Sequence, residues 1–510
     1  MLSASSSISQ RFIESLGKNL TAEAILAMEA CLNCRRCGNG CAWYIETGDE
    51  HLHPKYKKDF IRSLYRRHLR PLAGLRKRVG LTRTPSVKDL RQHMPFFWKC
   101  STCGRCTLAC PLALSNRSVV RLARAAFTES GLTKENPGLG EIDELRRRTG
   151  HSFGLSRERL HLRLGYLLAR EGVEVPVDVP GVEYLYAPSA VVNTRLPDQA
   201  VKIPKLLNAA GVRYTYSSRL VDTGSDVEHT TVNTTLSREI LEEVEAEALR
   251  LGAEKLLLSE CGCDLRTFYV DAGAILGRPL KVAVQALDSL LLQAIRSGAL
   301  PVDRTPGRVT YHDACQVTRL AGLGGIGRDL LECVVEEVHE MTPNREENYC
   351  CNGGAGVLRL PENQELRRRV SRLKASQIRD TGAARVVTPC AVCMLSLEDT
   401  CKTYGLTSPD VRMSFMLFEE TYAAVERALE RRGETDRVRI PAVFKGAAPE
   451  FVRRYGLKGR VEEIRRSPDF ARHLEWLSQD PFVRRYSKSH PSRFRFREAR
   501  SCQEGIPTHD

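Results

Sequence analysis

The feature that most constrains this chain is a pair of cysteine runs with one shared spacing. They are Cys31-x2-Cys34-x2-Cys37-x3-Cys41 and Cys100-x2-Cys103-x2-Cys106-x3-Cys110. Thiols set two residues apart converge on one small object, so these segments must wrap something. Residues 1–20 are largely polar and show no apolar run ahead of a small-residue cleavage site, so no secretory leader is expected. Close-set cysteines in a non-secreted protein read as metal ligands and not as disulfides. No run of about 18 apolar residues occurs, so no membrane-spanning helix is expected.

Each run has the bacterial ferredoxin spacing, and Pro111 follows the second as that pattern has it. Two intervening residues let successive thiolates wrap one face of a cubane, and the fourth cysteine ligates the other cluster. Cys31, Cys34, Cys37 and Cys110 are therefore expected to hold one [4Fe–4S] cubane, and Cys100, Cys103, Cys106 and Cys41 a second. Structural zinc needs only four thiolates in a tetrahedron and gives no reason for a third C-x-x-C step with a distal cysteine.

From about residue 182 the pattern changes. Short β-like runs (VEYLYA, VRYTYSS, EKLLLSE) alternate with helical stretches, as they do in a layer built on a parallel sheet. The order returns in RVTYHDAC, VVEEVHEMT and ARVVTPCAVC, and Gly252–Leu257 parallels Gly382–Val387. Two copies of one α/β unit are expected. The second carries a further cysteine set: Cys315, the adjacent Cys350 and Cys351, and Cys390-x2-Cys393. Cys315, Cys390 and Cys393 follow strand C-terminal ends, where open α/β sheets gather ligands. Adjacent cysteines are poor partners for one metal ion and suit a multi-iron cluster. Gly353 and Gly354 would allow close backbone approach to it.

On the two ferredoxin runs, His312-Asp313-Ala314-Cys315, Cys350-Cys351-Asn352-Gly353-Gly354 and Cys390-Ala391-Val392-Cys393, the chain resembles the D-type subunits of heterodisulfide reductase and their DsrK-type relatives. These form a CCG-domain family, and the resemblance covers about residues 25–430. It implies that Cys315, Cys350, Cys351, Cys390 and Cys393 hold a non-cubane [4Fe–4S] cluster acting on disulfides. Asn352 stands where the family usually has glycine, which bears on local backbone geometry. The first copy offers only Cys261 and Cys263, read as packing or pocket-edge residues, and so resembles family members with a degenerate first unit. Cys333, Cys401 and Cys502 are read as non-ligands. His312 and Asp313 are candidates for hydrogen-bonding the cluster sulfurs or relaying protons, beside a plain structural role.

The expected fold is thus α+β and multi-domain. A helical two-cluster domain (1–130, with a basic insert at 52–83) is followed by a connector (131–181). A degenerate α/β unit (182–300), a complete one (305–430) and a basic appendage (431–510), helical and partly disordered, complete it. The two kinds of cysteine site fall in separate domains and are expected to assemble independently.

The expected function is an oxidoreductase acting on sulfur groups, as a subunit of a complex. Electrons would pass through two cubanes to the third cluster, and there act on a small disulfide or a thiol-carrier protein. The alternative is an iron–sulfur relay for a flavin-dependent 2-hydroxyacid or glycerol-3-phosphate dehydrogenase, which the same layout also resembles. The net charge of +15 and the density of Lys and Arg at 52–83 suggest a cytoplasmic protein, peripheral on the inner membrane face, beside a cytochrome b-type or other redox subunit. Nucleic acid is not an expected partner, since the basic residues are not interleaved with aromatics.

Overall fold

The structure is a computed structural model that describes residues 7–71, 84–258, 261–408 and 410–490. Helices dominate its N-terminal part. Ser7 caps Ile8–Lys18 and Thr21 caps Ala22–Glu29, each accepting a backbone N–H three residues on. These two helices and Pro54–His68 pack around the Asn116–Glu129 helix, burying Phe12, Leu16, Met28, Ile61, Phe97, Trp98 and Phe127 in one core. The cysteine runs lie in loops and short turns between these helices.

Two four-stranded sheets follow. The first has strands β1 (Tyr184–Ala187), β2 (Tyr214–Thr215), β3 (Lys255–Leu258) and β4 (Ala283–Ala286) in the order β2-β1-β3-β4. The second has β5 (Thr305–Tyr311), β6 (Val335–Val338), β7 (Arg385–Thr388) and β8 (Ser414–Met416) in the order β6-β5-β7-β8. All six pairings are parallel, and the two sheets have one topology. The repeat expected from sequence is therefore present in the backbone. Its registers align it residue by residue. Gly252 and Gly382, both left-handed (φ +60° and +61°), close the helices that precede β3 and β7. Tyr184 pairs with Lys255 as Val309 pairs with Arg385.

The two sheets do not keep separate interiors. One core joins Tyr184, Tyr186 and Leu257 to Val309, Tyr311 and Val387. Another joins Leu256, Leu258 and Phe268 to Cys315, Cys350, Cys351, Cys390 and Cys393. The chemistry-bearing cysteines are thus buried on the shared side of the repeat.

Three stretches differ from the sequence expectation. The connector holds two helices, Pro137–Thr149, capped by Asn136, and Arg157–Arg170, capped by Ser156; its Gly and Pro residues lie mostly at helix ends. The appendage, as far as residue 490, is helical and docked: Leu477, Phe482, Val483 and Tyr486 are buried in the core of the repeat. Its remaining residues, with Arg493, Arg495, Arg497 and Cys502, lie outside the described residues. The basic insert is not simply a surface patch. Pro54–His68 is amphipathic, and it buries Lys57, Lys58 and Arg62 with Ile61 and Leu64. Lys55 pairs with Asp59, and Arg66 and Arg70 pair with Glu29. Arg76, Lys77 and Arg78 lie outside the described residues.

Candidate metal centres

The two N-terminal runs interlock. One small cavity is lined by Cys31, Cys34, Cys37 and Cys110, with Leu32, Leu112 and Leu114. A second is lined by Cys41, Cys100, Cys103 and Cys106. Each cavity takes three cysteines from one run and the distal cysteine of the other, the exchange that the spacing implies. Asn33, Arg35 and Thr102 adopt left-handed φ (58°, 62° and 50°), which curls the C-x-x-C segments back on themselves. At Gly40 a Cβ would lie 2.6 Å from the Arg105 carbonyl and 2.9 Å from the Cys106 Cα, so only glycine lets the two runs close.

The charge around these cavities fits a thiolate-bound cluster. Lys58 lines the first and hydrogen-bonds Cys31, and with Arg62 it draws the Cys31 thiol below its ordinary value against the effect of burial. Lys57 lines the second. There burial pushes the Cys41 thiol up to about 11, partly offset by Lys57. A multivalent centre would supply the positive charge that holds several neighbouring thiolates together. Four sulfur donors grouped in this way fit a [4Fe–4S] cubane at each site.

The third set lies at the C-terminal ends of β5 and β7. Cys315 follows β5, Cys390 and Cys393 begin the helix after β7, and Cys350 and Cys351 come from the loop after β6. All five are buried. Sγ of Cys315 and Cys350 are 3.8 Å apart, and those of Cys351 and Cys393 are 3.2 Å apart. Hydrogen bonding with Cys350 and Cys393 holds the Cys351 thiol well below its ordinary value, while hydrogen bonding and burial hold Cys315 and Cys393 well above theirs. Backbone N–H groups of Asn352 and Gly353 reach the sulfurs of Cys350 and Cys351 at 3.3 and 3.5 Å. Asn352 has φ +61°, a left-handed conformation that asparagine tolerates and glycine takes freely. The departure from the family's glycine thus leaves the turn intact. A Cβ at Gly353 would meet Leu358 and Ser396 at 2.8 Å, whereas Gly354 has no atom nearer than 3.9 Å, so only the first is required by packing.

His312 is fully buried, and burial holds its imidazole well below the usual range, in the neutral form. Its tautomer follows from its neighbours. Lys374 Nζ donates to Asn348 Oδ1, which turns the Asn348 amide N–H₂ toward His312 Nδ1 at 3.4 Å. Nδ1 is then the acceptor and Nε2 carries the proton. That ring lies with the Cys351 and Cys393 thiols in a group whose ligand atoms fall within 4.8 Å of one another. Asp313 faces elsewhere. It receives two bonds from Arg328 (2.6 and 2.7 Å) and the Arg345 N–H (2.7 Å), so it braces the loop.

Several site residues carry no sequence signal. Lys374, in the first turn of the Arg372–Thr381 helix, is fully buried, and burial lowers its ammonium to about 7 against the pull of Asp313 and the sulfurs of Cys350, Cys351 and Cys393. Arg319 donates to the carbonyls of Cys103 (2.7 Å) and Asn348 (2.6 Å). Arg124, also fully buried, donates to the carbonyls of Phe97, Cys100, His229 and Ala355. Only their long-range acceptors mark these cations, and a lone Lys or Arg in a helix does not announce them.

The two kinds of site, expected to assemble independently, are in contact. Cys103 hydrogen-bonds Cys350, which also lines the second cavity, and Ser101 Oγ lies 3.3 Å from Cys350 Sγ. The second ferredoxin loop and the third cysteine set share a wall.

Paired four-thiol cavities and a buried cysteine set between α/β repeats define an iron–sulfur protein built for electron transfer. Comparison with known proteins agrees. Residues 27–114 match the 4Fe-4S dicluster domain, and residues 309–398 match the Cysteine-rich domain of the CCG type. The chain is 24% identical over 75% of its length, and 76% of the relative's, to an Hdr-like menaquinol oxidoreductase iron-sulfur subunit from Archaeoglobus profundus. It is 23% identical over 75% of its length, and 91% of the relative's, to the D-type subunit of a dihydromethanophenazine:CoB–CoM heterodisulfide reductase from Methanosarcina barkeri. The chain thus carries a 4Fe-4S dicluster domain and a CCG-type Cysteine-rich domain, and a general oxidoreductase role. No helix among the described residues is long and apolar enough to cross a membrane.

Proposed function

We propose that this protein is the subunit of a heterodisulfide-reductase-like complex that delivers electrons to a disulfide or sulfur-carrier substrate. Cys31, Cys34, Cys37 and Cys110 would hold one cubane, and Cys41, Cys100, Cys103 and Cys106 the other. Cys315, Cys350, Cys351, Cys390 and Cys393 would hold a third, non-cubane cluster. Bound there, these groups supply one-electron transfer and, at the third, an iron able to bind sulfur.

The protein's own residues do the rest. The Cys103–Cys350 contact keeps the last relay position and the third centre in direct touch, so no separate carrier is needed between them. His312 Nε2 has no hydrogen-bond partner among the described residues and is available to donate to a sulfur bound near Cys351 and Cys393, and Lys374 adds a cation that offsets thiolate charge. The loop through Gly353 and Ala355 and the residue Val392 form part of a cleft of about 940 Å³, which gives a sulfur compound a route to the buried set. The single observation carrying the reading is this junction, in which a five-thiol centre touches the relay on one side and borders a cleft on the other. An electron relay alone needs no such cleft. The expected partners are a membrane cytochrome b-type or other redox subunit on the donor side and a small disulfide or thiol-carrier protein on the acceptor side.

Electron paramagnetic resonance on the oxidised protein with added thiol, run beside a disulfide-reduction assay, tests this. Wild type is expected to give a thiol-dependent signal and turnover. Cys351→Ser is expected to lose both while the ferredoxin clusters stay reducible. Unchanged turnover in that variant would leave the third centre a relay only.

A further inference from the structure

Cys261 and Cys263 take no part in the three sites above, yet they are not isolated packing residues. Both are buried, and their thiols hydrogen-bond each other, Cys261 donating to Cys263. Gly262 between them is pressed against the third cysteine set. Its N–H donates to the Cys390 sulfur, and a Cβ there would lie 3.6 Å from Cys390 Sγ, 3.2 Å from Gln316 and 3.3 Å from Val317. Cys263 also lines the cleft of about 940 Å³, together with Asp226, Thr230, Gly353 and Ala355.

The repeat explains why these thiols lie there and why they hold no cluster. Aligned through Gly252 and Gly382, Cys263 occupies the position of Cys393. Aligned through β1 and β5, Ala187 stands for His312 and Ala190 for Cys315. In the loop that answers Cys350 and Cys351, Thr223 and Ser225 donate to Asp264, and Asp222 accepts from the Gly224 and Ser152 N–H groups. Two thiols without the other three do not make a multi-iron site.

We propose that Cys261 and Cys263 are a redox-active dithiol, cycling between two thiols and one intramolecular disulfide beside the third centre. Chain geometry permits the bond. Residues two apart are never more than about 7 Å from Cα to Cα, and disulfides span roughly 4.4–6.8 Å. Such a small ring is strained, which suits a bond that must be broken again. Cys263 is the attacking group, because it opens on the cleft and accepts a hydrogen bond from Cys261. Burial keeps both protonated at rest, the form in which a dithiol carries two electrons and two protons.

The step rests on the sulfur-substrate reading and balances without further reagents. Cys263 sulfur bonds to one sulfur of R–S–S–R′, the substrate S–S bond breaks, and R′–SH leaves with the proton from Cys263. Cys261 then displaces R–SH, which takes the second proton, and the Cys261–Cys263 bond forms. Two electrons from the iron–sulfur path and two solvent protons restore the dithiol. The pair thus stores as one unit the two electrons that arrive singly.

The test uses full-length cluster-loaded protein, equilibrated anaerobically across a series of dithiothreitol redox buffers. It is then quenched in acid, denatured, alkylated and mapped by peptide mass spectrometry. The peptide holding Cys261 and Cys263 is expected to lose both alkylation sites and two hydrogens together at one midpoint, while Cys333 and Cys401 stay alkylated. With oxidised glutathione, Cys261→Ser is expected to trap Cys263 as a mixed disulfide at unchanged iron content. Double alkylation in every buffer overturns the proposal, and so does a loss of about four irons in the Cys261→Ser, Cys263→Ser double variant, which would make the pair cluster ligands. If the pair oxidises as expected but no disulfide is turned over, the dithiol stands and the substrate reading fails.

Discussion

The two α/β units have one strand order and one set of crossovers, and they differ at the end where chemistry is done. In the second, the loops and helix starts beyond the strands supply five buried thiols, a neutral histidine and a buried lysine. In the first, the aligned positions are mostly filled otherwise. Val244, fully buried, stands where the second unit has Lys374; Ala187 and Ala190 replace His312 and Cys315; and a net of Asp222, Thr223, Ser225 and Asp264 fills the loop region. Topology is maintained by apolar strand residues that both units share. A cluster site is maintained by a handful of loop residues, and once several are gone the rest can drift to other uses. The first unit survives as half of a common core and as one wall of the cleft.

The largest expected effect breaks the comparison outright. Cys390→Ser with Cys393→Ser should remove about four of about twelve irons per chain, four for each of three clusters, measured by anaerobic iron and sulfide analysis. Cys263→Ser, the aligned change in the first unit, should remove none. Equal losses would mean that both units hold metal.

Next in size is the joint between the units and the ferredoxin domain. Arg124→Met leaves four carbonyls, on three parts of the molecule, without their donor. A loss of about 3 kcal/mol in denaturant unfolding is expected, in line with removing one partner of a buried charged network. The two classes of cluster signal should also lose their mutual coupling, because the Cys100 and Ala355 backbones are no longer tied.

Lys374→Val makes the second unit match the first at one position. Removing a cation that faces three thiolates should lower the reduction potential of the third centre, on the order of 60 mV for a one-electron change of about 1.4 kcal/mol. The ferredoxin potentials should not move, and a redox titration followed by paramagnetic resonance reads both.

The smallest effect belongs to the first unit alone. Asp226 is partly accessible as a residue, but its Oδ2 is sealed and without a partner, and burial raises the carboxyl to about 6. A folded value above the unfolded one means that stability falls as pH rises through the interval between them. Relative to Asp226→Asn, wild type should lose about 1 kcal/mol between pH 5 and 7.5. A flat difference would place the carboxylate in contact with solvent.

Much of this was legible in the cysteine spacing. The exchange of Cys41 and Cys110 between the two ferredoxin sites needs only three-step runs that fold back on each other, and the cavities follow it. The repeat was legible because strands and helices recur in one order, and because Gly252 and Gly382 end aligned helices with the left-handed turn that glycine favours. The appendage and the connector were harder. Their charge is high, and their burial rests on isolated residues such as Phe482 and Tyr486, which find partners in elements nearly 300 positions away. The basic insert misled for a related reason. A row of Lys and Arg looks like a surface until the helix places Lys57, Lys58 and Arg62 on the face turned toward the cysteines.

Which thiols travel together is written in the order of residues, because ligand spacing is local and covalent. The α/β repeat is written there as well, because periodicity is a property of each segment. What these groups meet is settled at a later level, when the segments close on one another. Folding sets Cys103 against Cys350, aims Arg319 and Arg124 at carbonyls of distant loops, buries Lys374 beside three cysteine sulfurs, and presses the Cys261–Cys263 pair against Cys390. Most of these contacts join residues from about 100 to nearly 250 positions apart. In one shared interior, hydrogen bonding and apolar burial offset the cost of taking these charges out of water, and no local pattern records which segments will share it.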